Sequence, residues 1–364
     1  MKAAVCRAFG APLSIEDVTL APPGPGEVRV ALAACAICHS DVIFADGGWG
    51  GDLPAVYGHE AAGVVESVGP QVTNVAEGDH VVVTLIRACG ECPDCAGGRP
   101  VTCGTVFPLD MASPLTAGSG ETLAQGLRTG AFAESVTVDH SQAVAIPKDV
   151  PLDSASLLAC GVITGFGAVS NTARIEAGAT VAVIGAGGVG LNTVQGAALS
   201  GASMVIAADI SDAKLATART FGATHGINPQ SQDLIAEVRA LTGGRGVDYA
   251  FATVGVRVAV EQAMQIAAPG GAVVLVGMPP SGVTVDLDPG ALAGLNQRIL
   301  GSKMGGARIQ ADIPFLVELY RQGRLKLDEL ISGRFPLERI NEAMDEVRRG
   351  EALRNVIVFG DGGA

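Results

Sequence analysis

The chain has 364 residues, of which 48% are hydrophobic; it contains 50 glycines and one tryptophan, and its formal net charge is −13. That length gives room for two domains of ordinary size, and the apolar content excludes a disordered chain. The acidic balance excludes nonspecific nucleic-acid binding and docking on an anionic membrane, both of which need a basic surface.

The N-terminal run MKAAVCRAFGAPLSIEDV has no long apolar stretch and no small-residue cleavage site, so a cytoplasmic chain without a signal peptide is expected. The first 150 residues read as short strands bounded by Gly, Pro or Asp: EVRVALAAC, AAGVVESVG, DHVVVTLI and AFAESVTV. Few convincing helices interrupt them before Ser154. Within this stretch Cys89, Cys92, Cys95 and Cys103 form C-x2-C-x2-C-x7-C in a loop dense in turn formers. Four thiolates suit a closed tetrahedral zinc site. An iron–sulfur cluster or disulfides are the alternatives, although the ferredoxin run has a shorter last gap and a Cys-Pro ending. The segment 104–130, rich in Gly, Ser and Thr, reads as loop on a pocket rim.

Beyond residue 160 strands and helices alternate. ATVAVIGAGGVGLNTVQGAALSGASMVIAAD reads strand, Gly-rich turn, helix, strand. KLATARTFGA is helical, VDYAFATV a strand, VAVEQAMQIAAPGG a helix with a glycine stop and AVVLVGM a strand. Such alternation implies a parallel sheet with right-handed crossovers. After Ser302 two helical segments and a last strand, NVIVF, follow. The simplest architecture is α/β: a Rossmann domain inserted in a mostly β domain, to which the tail returns.

Gly185, Gly187, Gly188 and Gly190 make up a G-x-G-x-x-G fingerprint between an apolar strand and a helix, and Asp209 ends the next strand 19 residues beyond Gly190. Glycines there permit a tight turn and let the helix N-terminus meet a pyrophosphate. An acidic residue at that distance accepts the ribose hydroxyls and repels a 2′-phosphate, which favours NAD over NADP. Cys38, His59 and Cys160 are too far apart in sequence for spacing to join them. Singly, the two cysteines read equally well as small core residues, and His59 as a hydrogen-bonded core histidine.

Taken in order, CHSD at 38–41, GHE at 58–60, the four-cysteine loop, ACGVITGFGA at 159–168, GAGGVG at 185–190 and Asp209 resemble the zinc-dependent medium-chain alcohol dehydrogenases over nearly the whole chain. The resemblance implies a GroES-like catalytic domain over 1–160 and 303–364 and a Rossmann domain over 161–302. It implies two zinc ions per chain, one structural and one catalytic, with Cys38, His59 and Cys160 as catalytic ligands and a fourth position open to alcohol or water. Asp41 would hold the far nitrogen of His59, Ser40 would take the substrate proton, and Glu60 would lie close behind the metal. For NAD the resemblance implies contacts from His39, Thr164, Val189, Ile210, Lys214, Val276 and Arg354 besides the glycines and Asp209. Trp49 and Leu85 would line the pocket, suiting a primary aliphatic or aromatic alcohol and its aldehyde. A homo-oligomer is implied, a dimer rather than a tetramer from the chain length.

Two departures matter. Ile43 stands where many members carry a histidine that ends the proton relay. Glutathione-dependent formaldehyde dehydrogenases, the alternative reading, place charged residues at the positions of Trp49 and Phe107. A further alternative is a nucleotide-binding zinc protein without turnover.

Overall fold

The computed structural model describes residues 1–360, so the last four positions of the expected catalytic domain lie outside it. The chain divides into two compact units, Met1–Gly161 with Arg308–Ala364, and Val162–Ala307. Among the described residues, no single helix is long and apolar enough to cross a membrane.

The first unit begins with the strands β1 (Lys2–Cys6), β2 (Ser14–Leu20), β3 (Glu27–Ala36), β4 (Ala55–Val56), β5 (Glu60–Val68), β6 (His80–Val83), β7 (Leu115–Ala117), β8 (Thr122–Gln125), β9 (Ser135–Asp139) and β10 (Ala143–Ile146). Strands β1, β2, β7, β8 and β4 close into a small barrel. The segment expected as pocket-rim loop therefore supplies two barrel strands, because Leu115, Ala117 and Leu123 turn inward and are buried. Strand β3 alternates half-buried and buried residues, as a strand covered on one face does. It pairs antiparallel with β5, and Ala36 stands opposite Glu60. That register brings the exit of β3 and the entry of β5 to the same end of the sheet. A helix not foreseen in the sequence, His39–Ala45, leaves from that end.

The second unit holds β11 (Thr180–Ile184), β12 (Met204–Ala208), β13 (His225–Ile227), β14 (Val247–Ala252), β15 (Ala267–Leu275) and β16 (Arg298–Gly301). All pair in parallel, in the order β13-β12-β11-β14-β15-β16. This is the doubly wound Rossmann order, with the first strand central and the chain reversing direction beside it. Ala182, Ile184, Ile206, Ala250 and Val273 form its core. One expectation needs correction. The helix Arg257–Ile266 passes directly into β15, so Pro269, Gly270 and Gly271 lie inside a strand and do not stop the helix. The pairing slips between Val247 and Tyr249 to accommodate them, as Pro and Gly within a strand require.

After the helix Ile309–Arg321 the chain adds β17 (Ile331–Pro336) and β18 (Arg354–Val358) to the first unit. Strand β18 lies antiparallel to β3, with Val356 opposite Ala36. Arg354, at the start of β18, thus reaches the same end of the sheet as Glu60.

Candidate functional site

At that end the ligand atoms of Cys38, His59, Glu60 and Cys160 all lie within 4.8 Å of one another, and all four residues are buried. Cys38 is the N-cap of the helix His39–Ala45, in extended conformation at φ −96° and ψ 153°. Asp41, in the first turn, is fully buried and serves three donors. Its Oδ2 accepts from the Cys38 backbone N–H at 2.9 Å. Its Oδ1 accepts from Gly58 N–H at 3.0 Å and lies 3.0 Å from His59 Nδ1. The imidazole is thereby held with Nδ1 as donor to Asp41, so Nε2 is the nitrogen left to bind a metal once it gives up its proton. His59 Nε2 is buried and has no hydrogen-bond partner. A buried polar atom of this kind is costly unless something binds it. Two cysteine sulfurs and one imidazole nitrogen close together match the donor set of a catalytic zinc, and Glu60 offers a further ligand atom in the same cluster.

The electrostatics agree. The hydrogen bond from Cys160 pulls the Cys38 thiol well below its ordinary range against the opposing effect of burial, while Cys160 rises well above it. Burial opposes a charged His59, yet the Asp41 carboxylate, by charge and hydrogen bond, raises the imidazole well above its usual value. Burial pushes Glu60 up to about 8, with the Arg354 charge acting the other way.

Arg354 is buried and donates to Glu60 Oε1 at 3.1 Å. Its guanidinium, expected at a cofactor pyrophosphate, is engaged here with that carboxylate and with the Ile37 carbonyl at 3.4 Å. Glu60 Oε2 is buried without a partner. Gly161 is required beside Cys160, since a Cβ there would collide with the Arg354 guanidinium. Ser40 is half-buried in the first turn of the helix, and His39 is exposed. Trp49 follows that helix in a glycine loop, its ring 5.1 Å from Phe44 in an edge contact, and Leu85 is half-buried after β6.

Cys89, Cys92, Cys95 and Cys103 form a second cluster whose ligand atoms lie within 4.8 Å of one another. The sulfurs of Cys89 and Cys103 are 3.8 Å apart, those of Cys92 and Cys103 3.9 Å, and those of Cys89 and Cys95 4.0 Å. Four sulfurs around one zinc at tetrahedral geometry should sit about 3.8 Å apart. The thiols are free, which removes the disulfide alternative, and an iron–sulfur cube would bind each thiolate to a different iron. The Cys92 backbone N–H points at Cys89 Sγ, 3.3 Å away, as in a loop shaped to hold thiolates.

In the second unit the fingerprint runs from β11 into the helix Gly188–Leu199. A Cβ at Gly190 would collide with the Gly185 carbonyl, so the turn tolerates no side chain there. Asp209 Oδ2 accepts from Ala186 N–H at 2.7 Å and Oδ1 from Ser211 N–H at 2.9 Å, placing the carboxylate against the turn. Ile210 beside it is 62% exposed, an apolar surface open to a ligand. Thr164 is buried, its hydroxyl 3.8 Å from the Met304 sulfur; Val189 and Lys214 are half-buried, and Val276 is buried after β15. Thr253, which the sequence did not single out, donates to the Gly185 carbonyl at 2.8 Å. Its position directly after β14, the parallel neighbour of β11, was the available signal.

A buried arginine was also missed. Arg87 donates to Gln142 Oε1 at 2.7 Å, Asp110 Oδ1 at 2.9 Å and the Arg128 carbonyl at 3.0 Å. Its guanidinium also lies 5.6 Å from the centre of the Phe107 ring.

A family model described as alcohol dehydrogenase GroES-like domain matches residues 24–148, and one described as zinc-binding dehydrogenase matches residues 188–320. A probable S-(hydroxymethyl)glutathione dehydrogenase 1 of Schizosaccharomyces pombe is 39% identical over 98% of this chain and 96% of its own. An NDMA-dependent alcohol dehydrogenase of Amycolatopsis methanolica is 38% identical over 98% of each chain. The crystal structure of benzyl alcohol dehydrogenase from Acinetobacter calcoaceticus superposes with a TM-score of 0.92 at 32% identity, covering 99% of both chains.

Proposed function

The chain belongs to the zinc-dependent medium-chain alcohol dehydrogenase family, and from that premise we propose that it oxidises a primary aliphatic or aromatic alcohol to its aldehyde with NAD+, reversibly. The observation that carries the reading is the convergence of Cys38, His59 and Cys160 with the unpartnered His59 Nε2. Zinc held there supplies Lewis acidity toward an oxygen ligand. Two electrons leave the alcohol carbon as hydride to the nicotinamide, and the hydroxyl proton is released.

In this reading Ser40 accepts that proton. Ile43, one turn along, cannot relay it, so the proton would leave Ser40 through the cofactor ribose and water, or by another base. Asp41 orients His59, Glu60 and Arg354 form a hydrogen-bonded pair behind the ligands, and Trp49 and Leu85 present an apolar pocket. Asp209 favours NAD+ over NADP+, since its carboxylate at the turn would repel a 2′-phosphate. His39, Thr164, Val189, Ile210, Lys214, Val276 and Arg354 complete the cofactor contacts. We assign the catalytic domain to 1–160 and 303–364, the nucleotide domain to 161–302 and the assembly to a homodimer. A cytoplasmic setting accords with the reduced thiol clusters.

A second reading, oxidation of the glutathione adduct of formaldehyde, is favoured by the likeness to the fission-yeast probable S-(hydroxymethyl)glutathione dehydrogenase. Trp49 and Phe107 weigh against it, as neither can pair with a charged peptide. One experiment separates the readings: NADH formation from primary alcohols, and from formaldehyde with glutathione, each with NAD+ and NADP+. Turnover of benzyl and aliphatic alcohols with NAD+ supports the proposal. Glutathione-dependent turnover alone transfers the function to the second reading. NAD+ binding with no turnover refutes both.

A further inference from the structure

We infer that Thr253 is a positioning residue for the dinucleotide, its hydroxyl holding the Gly185–Ala186 peptide so that the Asp209 carboxylate is aimed at the adenosine ribose. That role rests on the reading above, in which Asp209 favours NAD+ over NADP+.

Strands β12, β11 and β14 end level with one another, because Ile184 pairs with Ala208 on one side and with Ala252 on the other. Asp209, Gly185 and Thr253 are the next residues of those strands, so they leave the sheet side by side. Gly185 has φ of 99°, where glycine is at ease and other residues are strained. A Cβ there would also lie 2.5 Å from Val254 Cγ1 and 2.9 Å from Thr253 Oγ1. The turn must therefore start on glycine, and a glycine leaves the orientation of the peptide after it to the surroundings.

Two side chains act on that peptide from either side. Thr253 Oγ1 donates to the Gly185 carbonyl at 2.8 Å, and Asp209 Oδ2 accepts from the Ala186 N–H at 2.7 Å. Oγ1 also lies 3.0 Å from the Ile184 carbonyl, but that oxygen already receives the Thr253 backbone N–H at 3.0 Å. The Gly185 carbonyl is thus the acceptor that gains most from the hydroxyl. Turning the peptide over would break the Thr253 bond and point the carbonyl at Asp209, setting two acceptors face to face. The Ser211 N–H holds the other carboxylate oxygen at 2.9 Å, so the carboxylate is set from both ends and Thr253 governs one of them. One neutral hydrogen bond of this kind biases the peptide by about 2- to 12-fold.

The test titrates zinc-loaded full-length protein with NADH and with NADPH, followed by nicotinamide fluorescence, and uses thermal melting to establish folding. T253V and T253A remove the hydroxyl and T253S keeps it. In folded T253V or T253A the Kd for NADH should rise about 2- to 12-fold while that for NADPH does not, so discrimination falls by the same factor. T253S should restore it. In a D209A background T253V should change the NADH Kd by less than about twofold, because the two residues act through one peptide. An unmoved NADH Kd in folded T253V and T253A overturns the inference. Equal weakening of NADH and NADPH also overturns it, since the turn would then have loosened without reference to the carboxylate. A full T253V effect in D209A overturns it as well, in favour of a direct contact between Thr253 and the cofactor. Wild type that prefers NADPH refutes the reading of Asp209 itself, and the role of Thr253 with it.

Discussion

Replacing Asp41 by Asn tests the metal centre most directly. The side chain is fully buried and serves the N–H groups of Cys38 and Gly58 and the Nδ1 of His59, at 2.9, 3.0 and 3.0 Å. Asparagine keeps the shape but turns one acceptor oxygen into an amide that must face a donor. Losing one charge-assisted bond costs about 1.5–3 kcal/mol. At 1.4 kcal/mol per tenfold, zinc affinity at the Cys38–His59–Cys160 centre should fall about 10- to 100-fold, the range seen when a partner of a ligating histidine is changed. The four-cysteine loop is an internal control, since Asp41 makes no bond to it. A chelator competition monitored with a zinc-responsive dye should therefore release one ion per chain more readily and the other as in wild type. If both ions loosen together, the variant acts by unfolding. If neither loosens, Asp41 does not support the imidazole, and the chemistry argued for His59 is wrong.

Three further outcomes are expected. Arg87→Met removes one donor each from Asp110, Gln142 Oε1 and the Arg128 carbonyl, which keep Arg128, Asp139 N–H and Gln142 Nε2 as partners, and should cost about 1.5–3 kcal/mol in urea unfolding. Part of that cost would arise because Leu127 and Arg128, at φ of 52° and 59°, lose one of the bonds that hold them; a cost under about 1 kcal/mol would refute the role. Tyr57→Phe should be neutral or slightly stabilising, because the hydroxyl is buried without a partner, and a loss above about 1 kcal/mol would mean that it has one. Once zinc is stripped, Cys89 should be the first thiol of its loop alkylated by iodoacetamide at neutral pH. The Thr105 hydroxyl and nearby backbone N–H groups lower it to about 6, whereas burial holds Cys95 at about 12. Peptide mass spectrometry showing Cys95 modified first would contradict this order.

What the sequence determined by itself was local. Four cysteines within one turn-rich loop can meet because few residues separate them, and a glycine fingerprint between an apolar strand and a helix needs only its own short turn. The alternation of strands and helices after residue 160 pointed to the parallel sheet for the same reason, since each crossover joins neighbouring elements. The tertiary structure decided the rest. Cys38 and His59 meet because β3 and β5 pair with Ala36 opposite Glu60, and a shift of one residue in that register would turn the side chains to opposite faces. Arg354 reaches Glu60 across 294 positions of sequence because β18 lies along β3, so its pairing with a buried carboxyl group could not be read from the sequence around either residue. Short spacing constrains a loop directly, but remote side chains converge only through the pairing of whole strands, which no stretch of sequence around either residue encodes.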